Sequence, residues 1–260
     1  LQVETDVAGA LTVEAWVNFS SGGTGNPRIV SKGDTYFELY TVGTGSSRPL
    51  AAFVQVTGGV GVTVQTAASY SAGSWQHVAL TYDRASLRLY VNGTLAAQVA
   101  ETRALEPAIS HLNFGRRSGF INDCFKGQLD EVRIWSVART QSELNAWRQR
   151  NLLGNEAGLA GYWRFDEGSG QTVLDASPAG NSGTLGNTSS AAADDPVWAV
   201  STAPMPGIAD LLGLVLDGEY SGSLPSGNGT NGGDFMATFT LNQPLFKVTA
   251  HAPTPGSVRK

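Results

Sequence analysis

Gly127-Gln128-Leu129-Asp130-Glu131-Val132-Arg133-Ile134-Trp135, followed at once by Ser136-Val137-Ala138-Arg139-Thr140-Gln141-Ser142-Glu143-Leu144, is the stretch on which the reading of the fold turns. Its first part alternates as a strand does, with Asp130, Val132 and Ile134 on one side and Leu129, Glu131, Arg133 and Trp135 on the other. Thr140 with Glu143 three residues on forms a capping box, so a short helix is expected near 140–152, burying Leu144 and Trp147. The alternation sets the Asp130 carboxylate on an apolar face. A charge there needs a bound cation, a basic side chain or backbone N–H groups as its partner.

Working outward, more short strands appear. Leu11 to Val17 alternates, with Leu11, Val13, Ala15 and Val17 inward and Thr12, Glu14 and Trp16 outward, as in a half-buried strand. Arg28 to Tyr40 reads as two strands broken at Lys32-Gly33-Asp34. Gly58-Gly59 joins Phe53–Thr57 to Val62–Gln65 as a hairpin. Val78, Leu80 and Tyr82 face Leu87, Leu89 and Val91 across a second hairpin that closes on an Asn92-Gly93 turn of the I′ kind. His77 falls on the face opposite this core set and reads as a satisfied surface or rim histidine. Leu112–Gly115 and Gly161–Phe165 are further strands. Residues 186–208, rich in Ala, Ser, Asp and Pro with Trp198 as the one large anchor, read as a linker or closing edge segment.

Composition agrees with short strands and turns. Of 260 residues 32 are Gly and only 15% are charged, which is the texture of a β domain rather than a helical bundle. The net charge of −5, with no Lys/Arg stripe, points away from nucleic acid. No run approaches the ~18 apolar residues that a membrane-spanning helix needs. The single cysteine, Cys124, excludes an intrachain disulfide and a cysteine-based zinc cluster, and it reads as a small buried or half-buried thiol. The chain starts at Leu1 without a leader pattern, as a piece of a longer protein would. Asn-x-Ser/Thr sequences at Asn18, Asn92, Asn187 and Asn228 matter only in a eukaryotic secreted chain.

Four ordered motifs carry a resemblance. Leu11–Val17, Ser74-Trp75-Gln76-His77-Val78-Ala79-Leu80-Thr81-Tyr82, Leu89-Tyr90-Val91-Asn92-Gly93 and Gly127–Trp135 resemble, in that order, the laminin-G-like jelly-roll domains of the concanavalin A-like superfamily. Gly158 to Gly170 is similar to the companion motif of the bacterial members. The resemblance covers about residues 1–204. It implies an all-β, antiparallel β-sandwich (jelly roll), here with one short helix, followed by a β-rich C-terminal appendage over 205–260. Members usually open with a strand ending in Asp-Gly just before the position of Leu1. Gly213 to Tyr220 resembles that element, so a strand supplied from the tail, in cis or from a neighbouring subunit, is one reading; a linker and strand-forming tail that packs on the domain, packs on another subunit or starts a further module is the wider set. Phe235 to Leu241 alternates as well.

The resemblance further implies an extracellular or cell-surface binding module that recognises glycans or surface proteins, with a structural calcium ion (Ca2+) at the rim. Calcium takes oxygen ligands from loops, so Asp130, Asp34, Asp175 and Asn181 are the candidate metal residues. Capping of loop N–H groups is the competing role for each carboxylate. Trp16, Tyr36, Trp75 and Tyr90 are the candidate ligand platform, with cross-strand packing as their competing role. A self-associating surface or fibre protein is the second function class, built on exposed strand edges and the tail. A glycoside hydrolase is the third. Its paired carboxyls are not met by Asp130-Glu131 or Asp166-Glu167, whose neighbours point to opposite faces of a regular strand, and Glu38 stands alone. No catalytic residue is assigned.

Overall fold

The structure, a computed structural model, describes residues 9–205 except 23–24, 34–35, 44, 108–109, 118–123 and 187. The appendage over 205–260, with the Gly213–Tyr220 and Phe235–Leu241 patterns, therefore lies outside the described residues save for its first. Among the described residues thirteen strands and one helix follow in order: β1 (Leu11–Phe19), β2 (Arg28–Lys32), β3 (Phe37–Thr41), β4 (Ser47–Val56), β5 (Val60–Ser71), β6 (Gln76–Tyr82), β7 (Ser86–Val91), β8 (Thr94–Ala100), β9 (Leu112–Phe114), β10 (Gly127–Trp135), α1 (Gln141–Trp147), β11 (Leu159–Trp163), β12 (Thr172–Val173) and β13 (Gly183–Thr184).

Six strands form sheet A in the order β11-β10-β1-β6-β7-β8, five form sheet B in the order β5-β4-β3-β2-β9, and β12 pairs with β13. All the strand pairs are antiparallel. The two sheets bury one apolar core between them. Sheet A supplies Val13, Ala15, Val17, Val78, Leu80, Leu89, Val132 and Ile134, and sheet B supplies Val30, Phe37, Leu39, Leu50, Ala52 and Val54. The every-second-residue spacing of these side chains is the strand period itself. Asn92 and Gly93 both take positive φ (51° and 77°), as the I′ turn between β7 and β8 requires.

The deciding strand departs from regular alternation. Glu14 lies opposite Arg133 but Trp16 lies opposite Asp130, so β10 holds one residue more than β1 across this interval. The extra residue forms a β-bulge with Glu131 at φ 50°. The bulge slips the phase: Leu129 now packs on the core with Val132 and Ile134, and Asp130 pairs with Trp16. The expectation that Asp130 shares the apolar face is corrected.

A second correction concerns the outer face of sheet A, which the sequence reading left in solvent. Every residue of β1 from Leu11 to Val17 is buried. The cover is the segment that follows β10. Thr140 caps α1 in the expected box with Glu143, and Leu144 packs on Ala79 and Tyr90. Beyond α1, Trp135, Leu152, Leu159 and Tyr162 form a second cluster. The helix ends at Trp147, short of 152, because the buried Arg133 guanidinium takes the carbonyl oxygens of Trp147 (2.9 Å) and Arg150 (2.6 Å). That satisfies acceptors a longer helix would have used.

Candidate functional site

On the outer face of sheet B the register sets one row of side chains straight across the strands: Asn113, Ser31, Glu38, Phe53 and Thr63. Arg28 and Tyr40 form part of the adjacent row. Glu38 is at the centre, held by Arg28 Nη2 at 3.0 Å and Arg117 Nε at 2.8 Å. The Arg28 guanidinium also sits 4.6 Å from the Tyr40 ring centre, within cation–π range. Ser31 donates to the Arg116 carbonyl at 2.8 Å, tying the loop after β9 to the face. Burial raises the Tyr40 hydroxyl above its ordinary pKa; Arg28 opposes that and Glu38 adds to it, and the hydroxyl meets Thr63.

Phe53 lies over Gly61. A Cβ at position 61 would stand 2.6 Å from the ring, so only glycine leaves the ring room to rest on the sheet. Tyr40 and Phe53 are half-exposed and Thr63 is exposed. The face thus combines two accessible aromatic rings with the half-exposed Asn113 amide and Arg117 guanidinium, while Glu38 and Arg28 are buried. Sequence reading passed over Arg28, Tyr40, Phe53 and Arg117. The signal available was the Phe37-Glu38-Leu39-Tyr40 alternation, which puts Glu38 and Tyr40 together on the side away from the core.

The residues singled out from sequence lie elsewhere. Trp16 is 2% exposed, edge-on to His77 at 5.4 Å, with its Nε1–H on the Arg148 carbonyl. Tyr36 is part of the core cluster and Tyr90 packs with Leu144. These three are buried packing residues rather than an exposed platform, because β1 and β7 of sheet A are covered on both faces and Tyr36 turns inward. Trp75 remains half-exposed, with its Nε1–H on the Thr202 hydroxyl at 3.0 Å. Cys124 is exposed rather than buried.

Among the metal candidates, Asp175 is a loop staple. One carboxylate oxygen accepts the N–H groups of Tyr162 and Ser177, each at 2.9 Å, and the other accepts that of Asn181 at 2.8 Å. The Asn181 carbonyl takes the Trp163 indole N–H at 3.1 Å. Asp130 is buried and accepts the Ser201 hydroxyl. Burial raises its carboxyl above the usual range, against the Ser201 and Glu131 hydrogen bonds and with help from Asp166. Asp34 lies outside the described residues. Among the described residues no three His, Cys, Asp or Glu side chains group as a metal site would require.

A separate buried network spans the covered face of sheet A. Glu14 meets His77 Nε2 at 2.9 Å and accepts the Trp135 indole N–H at 2.8 Å. Arg133 bridges to Glu131 at 2.5 Å, and Tyr162 donates to Glu131 at 2.7 Å. Burial alone would raise the Glu14 carboxyl, but the His77 hydrogen bond and the Arg133 charge bring it down to about 2. Burial lowers His77 and raises Glu131. His77 is thus a neutral donor in the interior, not the surface histidine expected from sequence.

Comparison with known proteins places the chain. The family model described as "Concanavalin A-like lectin/glucanases superfamily" matches residues 2–145. The chain belongs to the concanavalin A-like lectin/glucanase superfamily. Among solved structures, this superfamily member is similar to a Bacteroides ovatus protein provisionally described as carbohydrate binding, at TM-score 0.54 and 27% identity over 68% of this chain and 52% of that one. A Ruminococcus gnavus sialidase module, CBM40, solved with α2,3 sialyllactose, matches at TM-score 0.45 and 18% identity over 54% of this chain and 82% of that one. Mouse pappalysin-1 is 34% identical over 87 residues, which is 32% of this chain and 5% of that protein.

Proposed function

We propose that the chain is a non-catalytic carbohydrate-binding module of the extracellular space or cell surface, taking its glycan across the outer face of sheet B. The observation that carries this reading is the Phe53 ring resting on Gly61 beside Tyr40, within a row that ends on the half-exposed Asn113 amide. A sugar ring presents C–H groups on its faces and hydroxyls on its rim. Aromatic rings satisfy the first, and a few placed charged or amide groups orient the second. The likeness to the Bacteroides ovatus protein supports the same reading.

A hydrolase needs two carboxyls flanking the scissile bond, ~5–5.5 Å apart for retention or ~6.5–9.5 Å for inversion. Of the described residues that the strands of sheet B set on this face, Glu38 is the one carboxylate, and two arginines hold it. That favours binding over cleavage. The test is a glycan array probed with the whole chain, once with calcium and once with chelator. Binding to a defined glycan class supports the reading, and its loss in chelator would add a calcium ion to it. Silence in both conditions would refute it.

A further inference from the structure

The outer face of sheet B is closed on one side and open on the other. Ser31 and Glu38 point away from the core, since their neighbours Val30, Phe37 and Leu39 belong to it. Side chains on a bare face would lie in solvent, yet Ser31 is 0% and Glu38 2% exposed. What rests on them is the segment after β9. The Arg116 carbonyl takes the Ser31 hydroxyl at 2.8 Å, and Arg117 Nε meets Glu38 at 2.8 Å. In the neighbouring row Arg28 is also buried, with its guanidinium 4.6 Å from the centre of the Tyr40 ring. Each row therefore meets an arginine on the β2 side of its aromatic ring: Arg117 over Glu38 next to Phe53, and Arg28 against Tyr40.

Toward β5 the face is open. The row of Phe53 continues to Thr63, and the row of Tyr40 passes the small Ala51 to Gln65. Gly61, Thr63 and Gln65 are exposed, and β5 is the last strand of the sheet. The Tyr40 hydroxyl meets Thr63, so this ring leans toward the open edge. From Glu38 to Thr63 is two strand spacings, roughly 10 Å at ~4.8 Å each. That length takes one sugar ring and its link to the next, after which a glycan must leave over β5.

We propose that the site reads the end of a glycan chain. The terminal sugar lies on Phe53 and Tyr40 against the stop that Arg117 and Arg28 form, and the remainder leaves over the β5 edge. The ligand class is a chain end rather than the interior of a long polysaccharide, which needs a cleft open on both sides. Arg117, whose side chain is 20% exposed, is the specificity-determining residue, because it fills the place that a further sugar would need; rejection by a clash is how a site excludes the near-identical ligand. This inference rests on the reading of the sheet B face as the glycan site.

The test takes an array-identified disaccharide, extends it by one sugar at either end, and titrates each product into the whole chain. One extension is expected to keep its affinity, and the other to lower it by about a hundredfold. Arg117→Ala should recover about tenfold of that loss. Gln65→Trp, on the exposed β5 edge, should weaken the extension that the wild type accepts while leaving the disaccharide unchanged, and melting curves verify that both variants fold. Equal affinity for the two extensions, whether both are accepted or both rejected, overturns the inference and leaves the glycan reading standing. So does a rejection undiminished in Arg117→Ala, or full acceptance in Gln65→Trp. A chain that binds no oligosaccharide overturns the glycan reading itself, and this inference with it.

Discussion

The ring of Phe53 covers Gly61 so closely that a Cβ there would meet it at 2.6 Å. Gly61→Ala therefore has opposite effects on stability and binding. The added methyl lowers the backbone entropy of the unfolded chain, worth ~0.5–1 kcal/mol in favour of folding, but it lifts the ring off the sheet. Affinity for the glycan is expected to fall about tenfold, a ~1.4 kcal/mol change, while the melting temperature stays level or rises. Isothermal titration and a thermal melt of the same sample check both.

The Glu14–His77 pair gives the fold an acid limit. Burial holds His77 below its ordinary value of 6.5, so the unfolded state takes up the proton first and stability falls as pH drops through that value. Glu14, brought down to about 2 from 4.5, adds a second loss between those two values. Glu131, raised by burial, works the other way and softens the second limb. The melting temperature is expected to fall from about pH 7 to about pH 5 in the wild type. His77→Gln keeps an N–H donor for Glu14 and should flatten that limb. A His77→Gln curve parallel to wild type would mean that His77 does not set it.

Asp175 accepts three backbone N–H groups, and removing a buried acceptor leaves each donor without its partner. Asp175→Ala should cost on the order of 3 kcal/mol, read from urea unfolding. The cost should be the same in calcium and in chelator. A larger cost in calcium would make Asp175 a metal ligand instead of a staple.

How far the sequence reaches can be judged from particular residues. Asn92-Gly93 and Thr140 with Glu143 were readable because each signal is local: a turn needing two positive φ angles and a cap closing on its own helix. The apolar alternation of β1, β6 and β7 located the core for the same reason. The bulge at Glu131 was not readable, since no glycine marks the positive φ and the extra residue shows only when β10 is laid against β1. Its consequence was that Asp130 was assigned to the wrong face. The burial of Trp16 depends on a cover that arrives 132 residues later in the chain, and His77 lies under the same covering segment, edge-on to Trp16. Tyr40 and Phe53 become neighbours only through the pairing of β3 with β4, so alternation within either strand could not join them.

The central claim is that glycan sits on the outer face of sheet B, and the measurement that tests it most directly is titration of one array-identified glycan into the wild type, Tyr40→Ala/Phe53→Ala and Trp75→Ala. Losing a stacking centre of hot-spot strength, ~2 kcal/mol, corresponds to roughly thirtyfold in affinity. The account predicts at least that loss for the double variant and near-wild-type affinity for Trp75→Ala. Full affinity in the double variant, with binding lost in Trp75→Ala, would contradict it and move the site to the rim near Thr202.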